Sequence, residues 1–383
     1  MKVVCWHPVL TDHQSYTLEA LRDAGQCELA VFVAKQEHAE RQAQGWVNRH
    51  ASALAPTLIP QRGWLRYIVR QLRARGEAVH LFGSPFEQPR LILALFLALA
   101  MGLRVFLISE PYSTTAAGYQ DDRRRGLNWL KAQLRPALYR LYGMLMARRL
   151  GGLFAISTLA VEQYRRIGIP NEKIFRFGYF VPATGLPAPA AARPPGLRLV
   201  FVGTLIERKG LDVLIAAVKQ LRDEGVGVTL DAYGPGQPEP FGFDQAALAY
   251  RGQIPFGCAQ AVIGGYDALV LPSRYDGWGV VVNEALLAGV PVICSDRVGA
   301  AAVLRRWPCG AVFASESVAQ LADCLRACAD SPERLAAMRT AAAAAGAALE
   351  PRVAGRYMYQ VLSLAPGAAA PTKPSSPWYE HDN

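Results

Sequence analysis

Leu271-Pro-Ser-Arg-Tyr-Asp276-Gly-Trp-Gly-Val280-Val-Val-Asn-Glu284-Ala-Leu286 is the stretch that decides the fold. The run from Ala268 to Leu271 that opens it is short and apolar, which fits a strand buried on both faces. Pro272, Ser273, Gly277 and Gly279 then turn the chain. A helix is predicted from about Val280 to Ala288, with Gly289 capping its C-terminus and Pro291 barring any continuation. Val292 to Cys294 reads as the next strand. In a strand–loop–helix–strand unit of this kind the glycines let backbone N–H groups approach a ligand, and the helix start carries partial positive charge, so a phosphate is well placed there. Asp276 and Glu284 are wrong for gripping phosphate but right for accepting hydrogen bonds from sugar or ribose hydroxyls. Phosphate and polyol recognised on one loop and helix are the chemistry of a nucleotide sugar.

At these residues the chain resembles family 4 retaining glycosyltransferases, whose signature is two acidic residues with seven between them, usually both Glu. Here the pair is Asp276 and Glu284. The resemblance implies an α/β GT-B fold, in which two Rossmann-like, doubly wound parallel-sheet domains face a cleft. It also implies that Asp276 contacts the donor sugar and Glu284 the nucleotide ribose. Asp is one methylene shorter than the usual Glu.

A second strand–loop–helix lies upstream. Leu197–Val202 is an apolar strand, Gly203 to Gly210 its loop, and Leu211, Leu214, Ile215, Val218 and Leu221 mark one face of the following helix. Arg208 and Lys209 at the helix entry suit a diphosphate and would offset charge on a leaving nucleotide. The loop resembles the family's phosphate loop: Lys209-Gly210 matches, Thr204 stands where an Arg is common, and Arg208 can supply that charge. Gly234, in the turn after the strand Val228–Tyr233, resembles the glycine turn of the nucleotide pocket, and Tyr250 to Ile254 the segment that holds the base. Gly203, Thr204, Gly234, Ile254, Gly277, Trp278, Gly279 and Val280 are therefore the candidate donor-binding residues.

The N-terminal half alternates strand and helix patterns, as a doubly wound sheet requires. Ligands of such sheets sit beyond the C-terminal ends of the strands. His7, Asp12, His13 and Glu110 occupy loops that meet this condition and are the acceptor-side candidates, with His13 the candidate cleft histidine. For His13 a plain loop histidine, capping the next helix or solvated, is the competing reading. The family's glycine pair in the first loop is absent, and Glu110 stands where many members have a histidine.

A chain of 383 residues that is 51% hydrophobic is long enough for two domains with sizeable cores. The expected division is an acceptor-binding domain over 1–181, a linker over 182–196, a nucleotide-sugar domain over 197–345, a crossover helix over 346–364 and a disordered tail over 365–383. Seven scattered cysteines point to free thiols in a reducing compartment. The net charge of +10 is carried by the first 190 residues, which hold 24 Lys and Arg against 13 Asp and Glu. A basic half of this kind fits nucleic acid, an anionic membrane surface or a lipid-diphosphate acceptor; no nucleic-acid module is present to support the first. From Arg123 to Arg149, leucines 127, 130, 134, 138, 141 and 145 recur at helical spacing among arginines. Such a helix either packs its leucines on the sheet or lies on anionic lipid. No segment reads as a signal peptide or membrane span.

These readings, the resemblance included, converge on a cytoplasmic enzyme, peripheral to the inner face of the membrane, that moves a sugar from a nucleoside-diphosphate sugar to a lipid-linked or oligosaccharide acceptor in bacterial surface polysaccharide assembly. No cofactor or bound metal is expected, since cations and a helix terminus serve the diphosphate; the one Asp pair, Asp121-Asp122, lies in a basic loop of the other half. The alternatives are a non-catalytic partner subunit and a nucleotide-sugar 2-epimerase of the same fold.

Overall fold

A computed structural model describes residues 1–35, 51–112, 125–185, 196–244, 246–255, 257–364 and 373–380. Asp121-Asp122 and most of the predicted linker, 186–195, lie outside the described residues, as do the side chains of Leu127 and Leu130.

Thirteen strands form two parallel sheets among the described residues. The first comprises β1 (Lys2–His7), β2 (Glu28–Val33), β3 (Thr57–Leu58), β4 (Val79–Gly83), β5 (Arg104–Ser109), β6 (Gly152–Ile156) and β7 (Ile174–Phe177), in the order β3-β2-β1-β4-β5-β6-β7. The second comprises β8 (Leu197–Val202), β9 (Val228–Tyr233), β10 (Leu248–Tyr250), β11 (Ala268–Leu271), β12 (Val292–Ser295) and β13 (Gly310–Phe313), in the order β10-β9-β8-β11-β12-β13. The central strands are buried along nearly their whole length. Helices on both faces demand this, and it explains why the strands read as continuous apolar runs with no alternation. β3 is a two-residue edge strand and β13 a half-buried one, so neither carries a buried apolar run.

Each sheet is covered on both sides. Helices Trp64–Ala74, Pro89–Ala100, Arg125–Met146 and Thr158–Arg166 share one apolar cluster on one face of the first sheet. On the other face lies helix Asp12–Gly25, and against it lies the last helix, Pro351–Leu362. These two approach so closely that a Cβ at Gly355 would come within 2.3 Å of the backbone carbon of Ala20. One cluster of buried side chains runs from this face through Phe177 and Phe180 to Trp278 and Leu271 of the second half, so the two sheets share a continuous apolar seam.

Two expectations are corrected. Residues 373–380 of the predicted disordered tail are placed: Trp378 is 0% exposed and Tyr379 is buried. The two aromatic rings supply enough apolar area to order a segment whose polar composition alone would not. Second, of the two readings of helix Arg125–Met146, packing of the leucines on the sheet does not hold for Leu134, Leu138, Leu141 and Leu145. Tyr139, Gly143 and Met146 face inward, while Leu134 is 60% and Met144 77% exposed, and Leu138, Leu141 and Leu145 are exposed too. The aromatic rows Phe86–Tyr139 and Phe86–Tyr142, with centroids 5.0 and 4.9 Å apart, decide which side turns in. Among the described residues no helix is long and apolar enough to cross a membrane.

Candidate functional site

The two glycine loops of the second half meet. The loop after β8 carries Arg208 and Lys209 in a 3-10 turn, Glu207–Lys209, that ends at Gly210 in a left-handed conformation (φ 68°). The loop after β11 runs through Asp276 to Gly279, also left-handed (φ 87°), which opens helix Val280–Leu287. Lys209 Nζ lies 2.5 Å from Asp276 Oδ2, with only 15% and 13% of the two side chains exposed. Burial raises the Asp276 carboxyl, but the Lys209 ammonium, the nearby Arg208 and a hydrogen bond from the Trp278 backbone outweigh it and hold the group below the ordinary carboxylate range. Asp276 is therefore ionised at neutral pH.

Arg208 donates from Nη1 to the Tyr275 carbonyl at 2.8 Å, while its Nε is buried with no partner among the described residues. A guanidinium with a buried N–H left over is suited to a further acceptor such as a phosphate oxygen. Arg274, which sequence reading missed, ties the loops from outside. It forms a bidentate pair with Asp212 at 2.9 and 2.7 Å, bonds Glu316 at 3.1 Å and donates to the Glu207 carbonyl at 2.6 Å. Its partners lie 42, 62 and 67 residues away, so no local pattern reveals it.

Glu284 stands in the second turn of helix Val280–Leu287, half-buried. Burial pushes its carboxyl up to about 7 from 4.5. The sign follows directly. Between those values the folded chain keeps a proton that the unfolded chain has lost, so this group lowers stability progressively as pH rises from about 4.5 to about 7, by roughly 3 kcal/mol, and no further above that. A carboxylate held at such a cost is relieved by a ligand that donates hydrogen bonds to it.

The remaining donor-side residues line the same strand ends. Gly203 N–H bonds the Tyr233 carbonyl at 2.9 Å and Gly234 N–H the Gly252 carbonyl at 2.9 Å, stacking the β8 and β9 turns. Thr204 and Ile254 are half-buried beside them, and Val280 begins the helix. Trp278 turns inward: its indole donates to Asn283 Oδ1 at 2.9 Å, and Asn283 donates to the Tyr179 carbonyl at 2.7 Å across the seam.

The first half meets this loop from the opposite side. Tyr275 donates to the Pro111 carbonyl at 2.5 Å. Glu110 takes a hydrogen bond from Tyr179 Oη at 2.5 Å, and its carboxylate lies against Gly277, where an added Cβ would come 2.5 Å from Glu110 Oε2. His13 contacts Thr11 Oγ1 at 3.0 Å and sets its ring 4.3 Å from that of Tyr179. The cap of helix Asp12–Gly25 is Thr11, with Gln14 completing a capping box, so His13 does not cap the helix. Asp12 is buried in the first turn. His7 does not reach the cleft surface: it is 1% exposed, and burial pushes its imidazole down to about 4. The structure thus gathers Arg208, Lys209, Asp276, Gly277 and Glu110 at one point, with Glu284 on the helix beyond and His13 behind Tyr179.

Comparison with known proteins matches this region. Residues 196–331 fit the family model of glycosyl transferases group 1. The glycogen synthase of Mycobacterium tuberculosis (strain H37Rv) is 35% identical over 166 residues, 41% of this chain and 40% of that protein. The chain thus matches about two fifths of the length of that curated relative. Among solved structures, Anabaena Alr3699/HepE in complex with UDP superposes with a TM-score of 0.69 at 13% identity, covering 95% of this chain and all of that one. The lipopolysaccharide outer core galactosyltransferase WaaB gives 0.65 at 14% identity, with 94% and 99% covered. At such identities these likenesses establish the fold. Residues 196–331 therefore match the family model of glycosyl transferases group 1, and the chain as a whole has the GT-B fold of two parallel-sheet α/β domains.

Proposed function

We propose that the protein is a retaining glycosyltransferase that takes a sugar from a nucleoside-diphosphate sugar. The observation that carries this is the convergence of Arg208, Lys209 and Asp276 beside the start of helix Val280–Leu287: two cations and a helix terminus for a diphosphate, with a carboxylate for sugar hydroxyls at the same point. In this reading Lys209 and Arg208 hold the diphosphate and Asp276 the donor sugar, and Glu284 accepts from the ribose. Backbone N–H groups around Gly277 and Gly279 add donors. The bond from the anomeric carbon to the diphosphate oxygen breaks as the acceptor oxygen attacks on the same face, and the acceptor's proton passes to the departing phosphate oxygen. The acceptor enters from the side of Glu110 and His13.

Calorimetric titration with UDP, GDP, ADP and CMP, and then with the sugar nucleotide of whichever binds, tests this reading. One nucleotide is expected to bind. The affinity of its sugar nucleotide, whose diphosphate has no proton to lose near neutrality, is expected to rise as pH passes 7 and Glu284 ionises, and to stay flat with pH in Glu284→Gln. If none of the four nucleotides binds, the transferase reading fails and a non-catalytic partner subunit takes its place; binding with epimerisation of the sugar and no transfer would favour a 2-epimerase.

The acceptor we infer is lipid-linked, met at an anionic membrane surface in the assembly of a bacterial surface polysaccharide. The exposed stripe Leu134, Leu138, Leu141 and Leu145 supports this, flanked as it is by the exposed Arg140, Arg148 and Arg149. On the same face of the sheet, Leu65, Arg66, Val69, Arg70 and Arg73 of helix Trp64–Ala74 present a second apolar and basic surface. Leucine beside arginine on a solvent-facing helix is suited to anionic headgroups. Vesicles containing a third phosphatidylglycerol are expected to sediment the wild type and to lose it in Leu138→Glu/Leu141→Glu, whose folding is unaltered because both positions are exposed. Equal sedimentation of the two proteins, or none of either, removes the membrane from the reading.

A further inference from the structure

We propose that Trp378 and Tyr379 are positioning residues: the segment 373–380 clasps the two domains and holds the loop Asp276–Gly279 in register with the N-terminal half. Two domains joined by a linker move relative to one another unless something bridges them; here the apolar seam does so, and the tail adds to it. Tyr379 does so within a single residue. Its hydroxyl donates to the Phe177 carbonyl at 2.8 Å and accepts from the Ser157 N–H at 3.1 Å, both at the ends of strands in the first sheet. Its own carbonyl accepts from Arg306 Nη1 at 3.0 Å, on helix Ala301–Arg306 of the second half.

From these anchors two short paths lead to the donor loop. Ser157, held at positive φ (84°, with ψ 159°), abuts Gly299, where an added Cβ would come within 2.7 Å of the Ser157 Cβ. Gly299 N–H in turn donates to the Asp276 carbonyl at 3.1 Å. The second path runs through rings. Trp378, fully buried, lies 4.4 Å from Phe180 and 5.4 Å from Tyr357, and its indole N–H donates to the Ala348 carbonyl at 2.7 Å. Phe180 packs on Trp278, the residue between Gly277 and Gly279, at 6.3 Å. Removing the clasp takes away a bridging aromatic pair and leaves the Ser157 N–H and the Phe177 carbonyl with only their longer bond to each other, at 3.3 Å. None of these contacts touches the side chains of Arg208, Lys209 or Glu284.

The part of the proposal that concerns the rate of transfer rests on the glycosyltransferase reading; the part that concerns domain geometry does not. The test therefore uses both. The full-length chain, a chain ending at residue 372, Tyr379→Phe and Trp378→Phe are compared by small-angle scattering, circular dichroism, calorimetric nucleotide binding and transfer kinetics. The chain ending at 372 is expected to keep its helix and strand content and to show a broadened distribution of interatomic distances as the domains part. Its nucleotide affinity is expected to stay within about twofold of the full-length value, since those contacts lie in the second half, while kcat falls roughly 10²-fold through misplacement of the acceptor side. Tyr379→Phe is expected to show the same split in smaller measure, and Trp378→Phe, which keeps a ring in the pocket, to recover most of the rate. Unchanged scattering in the shortened chain and in Tyr379→Phe would overturn the clasp. Joint loss of secondary structure, affinity and rate in both would overturn the positioning role in favour of a purely structural one. If the wild type binds no nucleotide, the scattering comparison still decides the clasp, and the failure belongs to the glycosyltransferase reading.

Discussion

Lys209→Ala is expected to lower the rate of sugar transfer by about 10²–10³-fold, the usual cost of removing one preorganised group that meets developing charge. The cation would be lost where the diphosphate leaves, and Arg208, engaged with the Tyr275 carbonyl, cannot move into its place. The substitution also acts on the folded chain. With its partner gone, the largely buried Asp276 keeps the burial that raises its carboxyl and loses the strongest contact that lowers it. Breaking a buried pair from one side costs about 3 kcal/mol or more. In the wild type the depressed Asp276 contributes stability above the ordinary carboxylate pKa that is lost only as pH falls through its lower folded value. Chemical denaturation at pH 7.5 is thus expected to show the variant less stable, and the double variant Lys209→Ala/Asp276→Asn to recover much of that difference while remaining inactive. A single variant that turns over within fivefold of wild type would remove Lys209 from the diphosphate site.

Gly210→Ala is expected to be as damaging, for a reason of geometry. Gly210 sits at φ 68°, and a Cβ there would come 2.1 Å from the Pro272 carbonyl oxygen. Pro272 opens the donor loop, so the two glycine loops would be forced apart at the point where Lys209 meets Asp276. Strain in the left-handed region alone costs about 1 kcal/mol or slightly more. Gly225 isolates that part, since it too has positive φ (85°) but an added Cβ would meet nothing within 4 Å. Gly225→Ala is expected to lose only the backbone contribution and to bind nucleotide as the wild type does. Gly210→Ala is expected to lose at least about 3 kcal/mol of stability and at least tenfold in nucleotide affinity. Equal stabilities for the two variants would mean that the loops yield without cost.

The second half was legible because its elements are local. Strand, turn glycines, helix cap and acidic pair follow one another within Ala268–Ser295, and each declares itself by residue type. The basic pair Arg208-Lys209 was likewise read from one loop, although only the structure shows Lys209 against Asp276, 67 residues on. What the sequence hid was assembled over distance. Glu110 is legible as a loop acid, but its bond to Tyr179 and its seat on Gly277 depend on three separate segments. The leucines of helix Arg125–Met146 have the spacing of a packed face, and periodicity cannot say which side the neighbouring aromatic rings will claim. In the tail, Trp378-Tyr379 is a pair of large aromatics in a run of Pro, Ala and Ser. That contrast was the available signal that the segment has somewhere to go.

The pairing of helix Asp12–Gly25 with Pro351–Leu362 has a consequence for biogenesis. The partner of the first helix is made long after it. At roughly 5–20 residues per second, the ribosome needs on the order of 15–65 seconds to travel from one to the other. Throughout that interval the side of the first helix that will receive Gly355 and Tyr359 has no native cover. The first sheet is therefore a discontinuous folding unit, completed by a helix from the far side of the second sheet's sequence. A nascent chain of this architecture has to be shielded from its neighbours on the polysome for longer than a protein whose leading domain closes upon itself.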